Sequence, residues 1–204
     1  MLLSTAYFPP VQWFSLAARG NAYLEACENY QKQSYRNRCY ILGPQGPQML
    51  QVPVVHGGSM AIRDILVDYS TPWVVRTQRA LDTAYETSAY YEYYRDEVFA
   101  LLDAQPRTLW ELNLSTIRFL LEKTGIACEL SPTAEFAAPN EGLADDYRYT
   151  LHPKKADTIL PDMGLDKPYY QVFQDRTGGF TPKMSCLDLL FNEGPDSILW
   201  LKAL

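Results

Sequence analysis

The sequence predicts an α/β fold, with a mixed α+β arrangement as the alternative, in one domain spanning residues 1–204. Three observations carry this. A strand, helix, strand unit occupies the N-terminus; a glycine-turned β-hairpin follows and is expected to join it in a mixed sheet; a block of about three amphipathic helices fills the middle. A short strand and a short helix are expected near the C-terminus.

Leu2 to Phe8 is an apolar run stopped by Pro9-Pro10, as in a buried strand. Val11, Phe14 and Ala18 recur at helical spacing before Gly20, and Ala22 to Cys27 reads as the second strand, so parallel pairing through a helical crossover is expected. Ser34 to Leu42 is read as a third strand returning through Gly43-Pro44-Gln45-Gly46 into Met49 to Val55, with Pro53 at an edge or bulge. His56-Gly57-Gly58-Ser59 reads as a flexible loop, and Ala61 to Asp68 alternates like another strand.

Thr71-Pro72 resembles a cap and first turn for a helix from Trp73 to Glu86, and a second helix begins at Ser88, with Tyr91, Tyr94, Val98, Leu101 and Leu102 on one face. Thr108 and Glu111 form a capping box. Leu109, Leu112, Thr116, Phe119 and Leu120 form one stripe, and Gly125 ends that helix. Ile126 to Leu130 and Tyr147 to Leu151 read as short strands around a proline-containing loop from Pro132 to Asp146. Tyr169 to Phe173 is the last strand candidate, and Ser185 with Asp188 caps a helix that Gly194 terminates.

An apolar fraction of 47% is enough for a sizeable core, while a net charge of -6 argues against a broad nucleic-acid or anionic-membrane surface. The opening MLLSTAYFPPVQWF lacks a basic leader, and no apolar run is long enough for a membrane span, so a cytoplasmic location without membrane insertion is expected. Cys27, Cys39, Cys128 and Cys186 show no ligand or redox spacing and read as reduced, mostly buried residues. His152 has no carboxylate or cysteine at ligand spacing, and neither a metal nor a resident cofactor is expected.

Against this acidic background Glu25 to Arg38, EACENYQKQSYRNR, stands apart: from Asn29 to Arg63 there is no Asp or Glu, yet Lys32, Arg36, Arg38 and Arg63 fall inside. Strand periodicity would aim the guanidinium forks of Arg36 and Arg38 the same way, an arrangement suited to phosphate or carboxylate. An exposed strand face carrying arginines for solubility reads equally well. Asn29, Gln33 and Asn37 supply amides, and Glu25 and Glu28 are either general bases or partners of the nearby arginines. Gln12 and Trp13 sit at a strand-to-helix turn where open sheets bind ligands, although tryptophan is commonly a core anchor. His56, beside two glycines, is the better placed histidine for proton transfer.

YFPPVQWF, ENYQKQSYRNRCYI, the GPQG turn before LQVPV, IRDILVD, the tryptophan-led helix from Trp73 and GFTPKMSCLDLLFNEGP together resemble the WbqC-like family, from about residue 5 to the C-terminus. The resemblance implies a role in bacterial surface-polysaccharide (O-antigen) or nucleotide-sugar metabolism and carries over no settled catalytic residues. Many relatives open with a His-Gln-Pro motif on the first strand, where this chain has Ala6-Tyr7-Phe8-Pro9. Joined to the acid-free motif, it implies an enzyme acting on an activated or amino sugar by acyl or aminoacyl transfer. Lys32, Arg36 and Arg38 would hold the anion, Asn29, Gln33 and Asn37 would orient polar groups, and Gln12 and Trp13 would form the adjacent wall. The acyl or aminoacyl donor would be a co-substrate. A noncatalytic scaffold in a polysaccharide-assembly complex is the alternative.

Overall fold

The computed structural model describes residues 1–55, 60–138, 145–165 and 167–202. Its elements run β1 (Leu2–Ser4), α1 (Val11–Ala17), β2 (Ala22–Glu25), β3 (Arg38–Gly43), β4 (Gly46–Gln51), α2 (Trp73–Tyr85), α3 (Tyr91–Asp103), α4 (Leu109–Thr124), β5 (Leu130–Pro132), α5 (Ile159–Asp162), α6 (Gln174–Thr177), α7 (Cys186–Glu193) and α8 (Ser197–Leu201). The architecture is mixed α/β. No helix among the described residues is long and apolar enough to cross a membrane.

β1 and β2 pair in parallel, Leu2 opposite Tyr23 and Ser4 opposite Glu25, with α1 as the crossover. β5 adds in parallel to the other side of β2. On the free side of β1, the Leu2 amide donates to the Asp145 carbonyl at 2.8 Å and the Tyr147 amide to the Leu2 carbonyl at 3.0 Å. This bridge brings Asp146 alongside the sheet. The hairpin of β3 and β4 closes through Pro44-Gln45 between the paired Gly43 and Gly46 and forms a sheet of its own instead of extending the parallel one. Buried apolar side chains from Leu3 to Leu201 make a continuous core.

Local chemistry sets the best-defined helix. The Thr108 hydroxyl accepts from the Glu111 amide at 3.1 Å while the Glu111 carboxylate accepts from the Thr108 amide at 3.0 Å, and Gly125 ends α4 in the left-handed conformation. All five residues of its expected stripe are buried. α2 differs from expectation: Pro72 occupies the cap position and no side chain caps the helix, because the Trp73 amide turns back to the Thr71 carbonyl at 2.8 Å.

Several expected strands are shorter or absent. β1 stops at Ser4, ahead of Phe8, whose φ is 37°. Gln33, with φ 59°, turns the chain so that β3 begins only at Arg38. Residues 61–68 form a 3-10 turn at Ile62–Asp64 and isolated bridges, Val54 with Val67 and Leu66 with Thr108. Tyr147 to Leu151 is a series of turns, and Tyr169 to Phe173 is irregular. The His56 to Ser59 loop and residues 139–144 of the Pro132 to Asp146 loop lie outside the described residues. All four cysteines are free, two buried and two half-buried.

Ser185 caps α7 by accepting from the Leu187 amide at 3.2 Å, but Asp188 does not complete a capping box. Its fully buried carboxylate accepts from Tyr85 Oη, Tyr169 Oη and Gln171 Nε2, each at 2.7 Å. No cation among the described residues pairs with it. Burial pushes this carboxyl up despite the three hydrogen bonds that hold it down. The folded state therefore keeps the proton to higher pH than the unfolded chain. The resulting stability is present at low pH and lost as pH rises through the folded pKa. In urea unfolding, wild-type stability relative to Asp188→Asn should fall as pH rises above the ordinary aspartate range. A difference that rises with pH would show the carboxylate to be favoured by folding.

Candidate functional site

The carboxyl end of β2 delivers Glu25 into the interior, fully buried. One oxygen accepts from the Cys27 amide at 2.9 Å and Thr133 Oγ1 at 2.8 Å; the other accepts from the Ala137 amide at 3.0 Å and Arg148 Nη1 at 2.8 Å. Arg148, also buried, forks onto Asp146 at 2.9 and 2.6 Å and donates to the Ala137 carbonyl at 2.7 Å. Its hydrogen bonds hold the Asp146 carboxyl below the usual range. With four donors on two oxygens and no exposure, Glu25 is engaged as an ion-pair partner and offers no open lone pair to a substrate.

Three residues later Glu28 meets Arg36 in a second buried pair: Nε to Oε1 at 2.7 Å and Nη2 to Oε2 at 2.6 Å, the side chains 1% and 2% exposed. Burial pushes the Glu28 carboxyl up, against the lowering effect of Arg36. The Arg36 carbonyl accepts from Asn113 Nδ2 at 2.8 Å, which ties the pair to α4. Arg36 thus precedes β3, points inward and does not share a face with Arg38. Of the two roles open to Glu25 and Glu28, pairing with arginine is the one this geometry presents.

Arg38 takes the other course. It is half-buried at the start of β3, forms no ion pair among the described residues, and its Nε has no acceptor. It lines a cleft of about 360 Å³ together with Lys32, Gln33, Asn37, Tyr30 and Gln51. Asn37 donates to the Val52 carbonyl at 2.9 Å, leaving its Oδ1 as a buried acceptor without a donor. Gln33 Oε1 accepts from Lys154 Nζ, so a further ammonium stands at the rim. Asp68 is the one acid on the described lining, and hydrogen bonds from Ser70 hold its carboxyl below the usual range. Buried or half-buried polar atoms lacking partners are places where a ligand or water completes the bonding.

The remaining expected residues lie elsewhere. Gln12 is buried and donates to Asp157 Oδ2 at 2.9 Å, while Trp13 is a core side chain whose indole donates to the Ser4 carbonyl at 3.1 Å. Neither lines the Arg38 cleft. Asn29 is exposed and forms an isolated bridge with Ala61, and Arg63 faces solvent near Asp64. His56 lies outside the described residues. Burial and the nearby Lys155, Arg36 and Lys154 hold His152 below the usual imidazole range. Arg148, Asp68 and Gln51 carried no sequence signal, since their neighbours come from distant segments. Among the described residues no group of three or more His, Cys, Asp or Glu side chains could hold a metal ion.

The two arginines should respond oppositely to truncation. Arg36→Ala strands a buried carboxylate and should cost about 3–5 kcal/mol of unfolding free energy. Arg38→Ala should cost about 1 kcal/mol or less. Chemical denaturation of both variants checks this, and equal losses would show that Arg38 is also a structural cation.

No solved structure matches this chain. An uncharacterized protein of Mycobacterium tuberculosis, Rv1507c, is 26% identical over a 223-residue alignment covering 98% of this chain and 96% of that protein. A model of the WbqC-like protein family matches residues 5–160, including β2 to β5, both buried ion pairs and every described residue named on the cleft wall. The chain belongs to the WbqC-like protein family.

Proposed function

We propose that this chain is a cytoplasmic enzyme of bacterial surface-polysaccharide biosynthesis that acts on an activated or amino sugar, transferring an acyl or aminoacyl group. The reading is carried by Arg38, a half-buried cation with no carboxylate partner among the described residues, opening on a cleft that also holds Lys32. A guanidinium left without an acid in an acidic protein suits an anion supplied from outside, such as the diphosphate of a nucleotide sugar. Asn37 Oδ1 adds an acceptor for a sugar hydroxyl or ligand N–H, and Gln33 and Gln51 supply further amides. Asn29, next in sequence to Tyr30 on the cleft wall, remains a proposed contact. Proton transfer is assigned to His56, next but one in sequence to Val54 on the cleft wall, in preference to the two glutamates that are paired internally.

The scaffold alternative draws support from Arg36, which satisfies a buried carboxylate as that reading requires. It does not account for Arg38. A scaffold would co-purify with a glycosyltransferase and show no response to nucleotide sugars.

Calorimetric titration with UDP-N-acetylglucosamine tests the cleft. Arg38→Gln should weaken binding by about tenfold to a hundredfold, as expected for losing a charge-assisted hydrogen bond, and Lys32→Gln by less. Undiminished affinity in the Arg38 variant, or no binding by the wild type, would overturn the reading.

A further inference from the structure

A second depression, of about 270 Å³, lies between β4 and the first turn of α2. Gln51 and Pro53 line both it and the Arg38 cleft, so the two share a wall. Its other walls come from Gln48, Thr71, Trp73 and Arg76, and no acid belongs to its described lining.

Three independent features meet here. The first is the start of α2, a helix of 13 residues with no side-chain cap and no acid in its first turn. Among the described residues the amides of Val74 and Val75 have no acceptor, and such a helix end favours negative charge. The second is Trp73, which is 4% exposed yet whose indole Nε1 donates to nothing among the described residues. An unsatisfied buried donor is costly unless something supplies an acceptor. The third is Arg76, exposed on the same wall and without an ion pair among the described residues. All three present donors or positive charge. An uncharged apolar ligand would leave the charge of Arg76 and the positive end of α2 unanswered, whereas an oxyanion suits both.

We propose that this depression is a second oxyanion subsite, taking a carboxylate or phosphate group, and that the ligand carries two anionic groups, one on each side of the Gln51–Pro53 wall. The proposal rests on the Arg38 cleft holding an anion. It narrows the substrate or co-substrate to one with two separated acidic groups, such as a sugar diphosphate bearing a carboxylate.

Nitrogen-15 spectra of the tryptophan indoles test it. Trp73→Phe identifies the Trp73 resonance among the four tryptophans. Inorganic phosphate and sodium acetate are titrated separately, and the probe that saturates shows which oxyanion the subsite prefers. The Trp73 indole resonance should move saturably with at least one of them, and Arg76→Gln, a surface change, should weaken that response by about tenfold. Arg38→Gln should leave the Trp73 response in place while losing UDP-N-acetylglucosamine affinity. A Trp73 resonance that stays fixed in both titrations, or an unweakened response in the Arg76 variant, overturns the subsite and leaves the Arg38 cleft standing. A normal Trp73 response with unchanged nucleotide-sugar affinity in the Arg38 variant overturns the cleft, and with it the two-anion ligand.

Discussion

The course of the chain between β2 and β3 depends on the bidentate contact between Glu28 and Arg36. Neither ion could be buried alone, since an isolated charge in an apolar interior is strongly disfavoured, so the segment must fold with both inside or with both in water. With both inside, Arg36 is held by its side chain to Glu28 and by its carbonyl to Asn113 of α4. The intervening residues are looped outward, which leaves Lys32 and Gln33 at the surface and starts β3 at Arg38. The cleft is therefore a by-product of a buried ion pair: its cations stand on the outer side of a loop whose inner side is already neutralised.

This division explains why one short motif contains arginines of two kinds. The family resemblance and the missing acids direct attention to this stretch, but they cannot distinguish a guanidinium that faces a buried carboxylate from one that faces solvent. Period-two reasoning places Arg36 with Arg38 only if the strand extends back to Ser34. The left-handed turn at Gln33 breaks that premise, and glutamine gives no local warning of it, unlike glycine or asparagine.

Elements whose signals are local are legible in advance. The capping box, apolar stripe and terminal glycine of α4 lie within a single helix and agree with one another, and the Gly43 to Gly46 turn declares its hairpin. Residues 61–68 mislead because their alternation arises from three separate bridges to different partners and a 3-10 turn, which mimic the period of one strand. Arg148 and Asp188 are illegible for another reason. Each matters through partners far away along the chain, and Asp188 in particular stands where a capping residue belongs while bonding instead to Tyr85 and Tyr169.

The Glu25–Arg148 contact spans 123 residues, and that distance has a temporal meaning during synthesis. A ribosome adding about 5–20 residues per second needs about 6–25 s to progress from one partner to the other. Throughout that interval β1 and β2 can meet but Glu25 lacks Arg148, and until residues 130–132 are made the edge of β2 that receives β5 is bare as well. Solvation of that carboxylate opposes closure of the emerging N-terminal segment around it. The same charge that seals the finished interior thus acts as a brake on premature burial, released when Arg148 arrives.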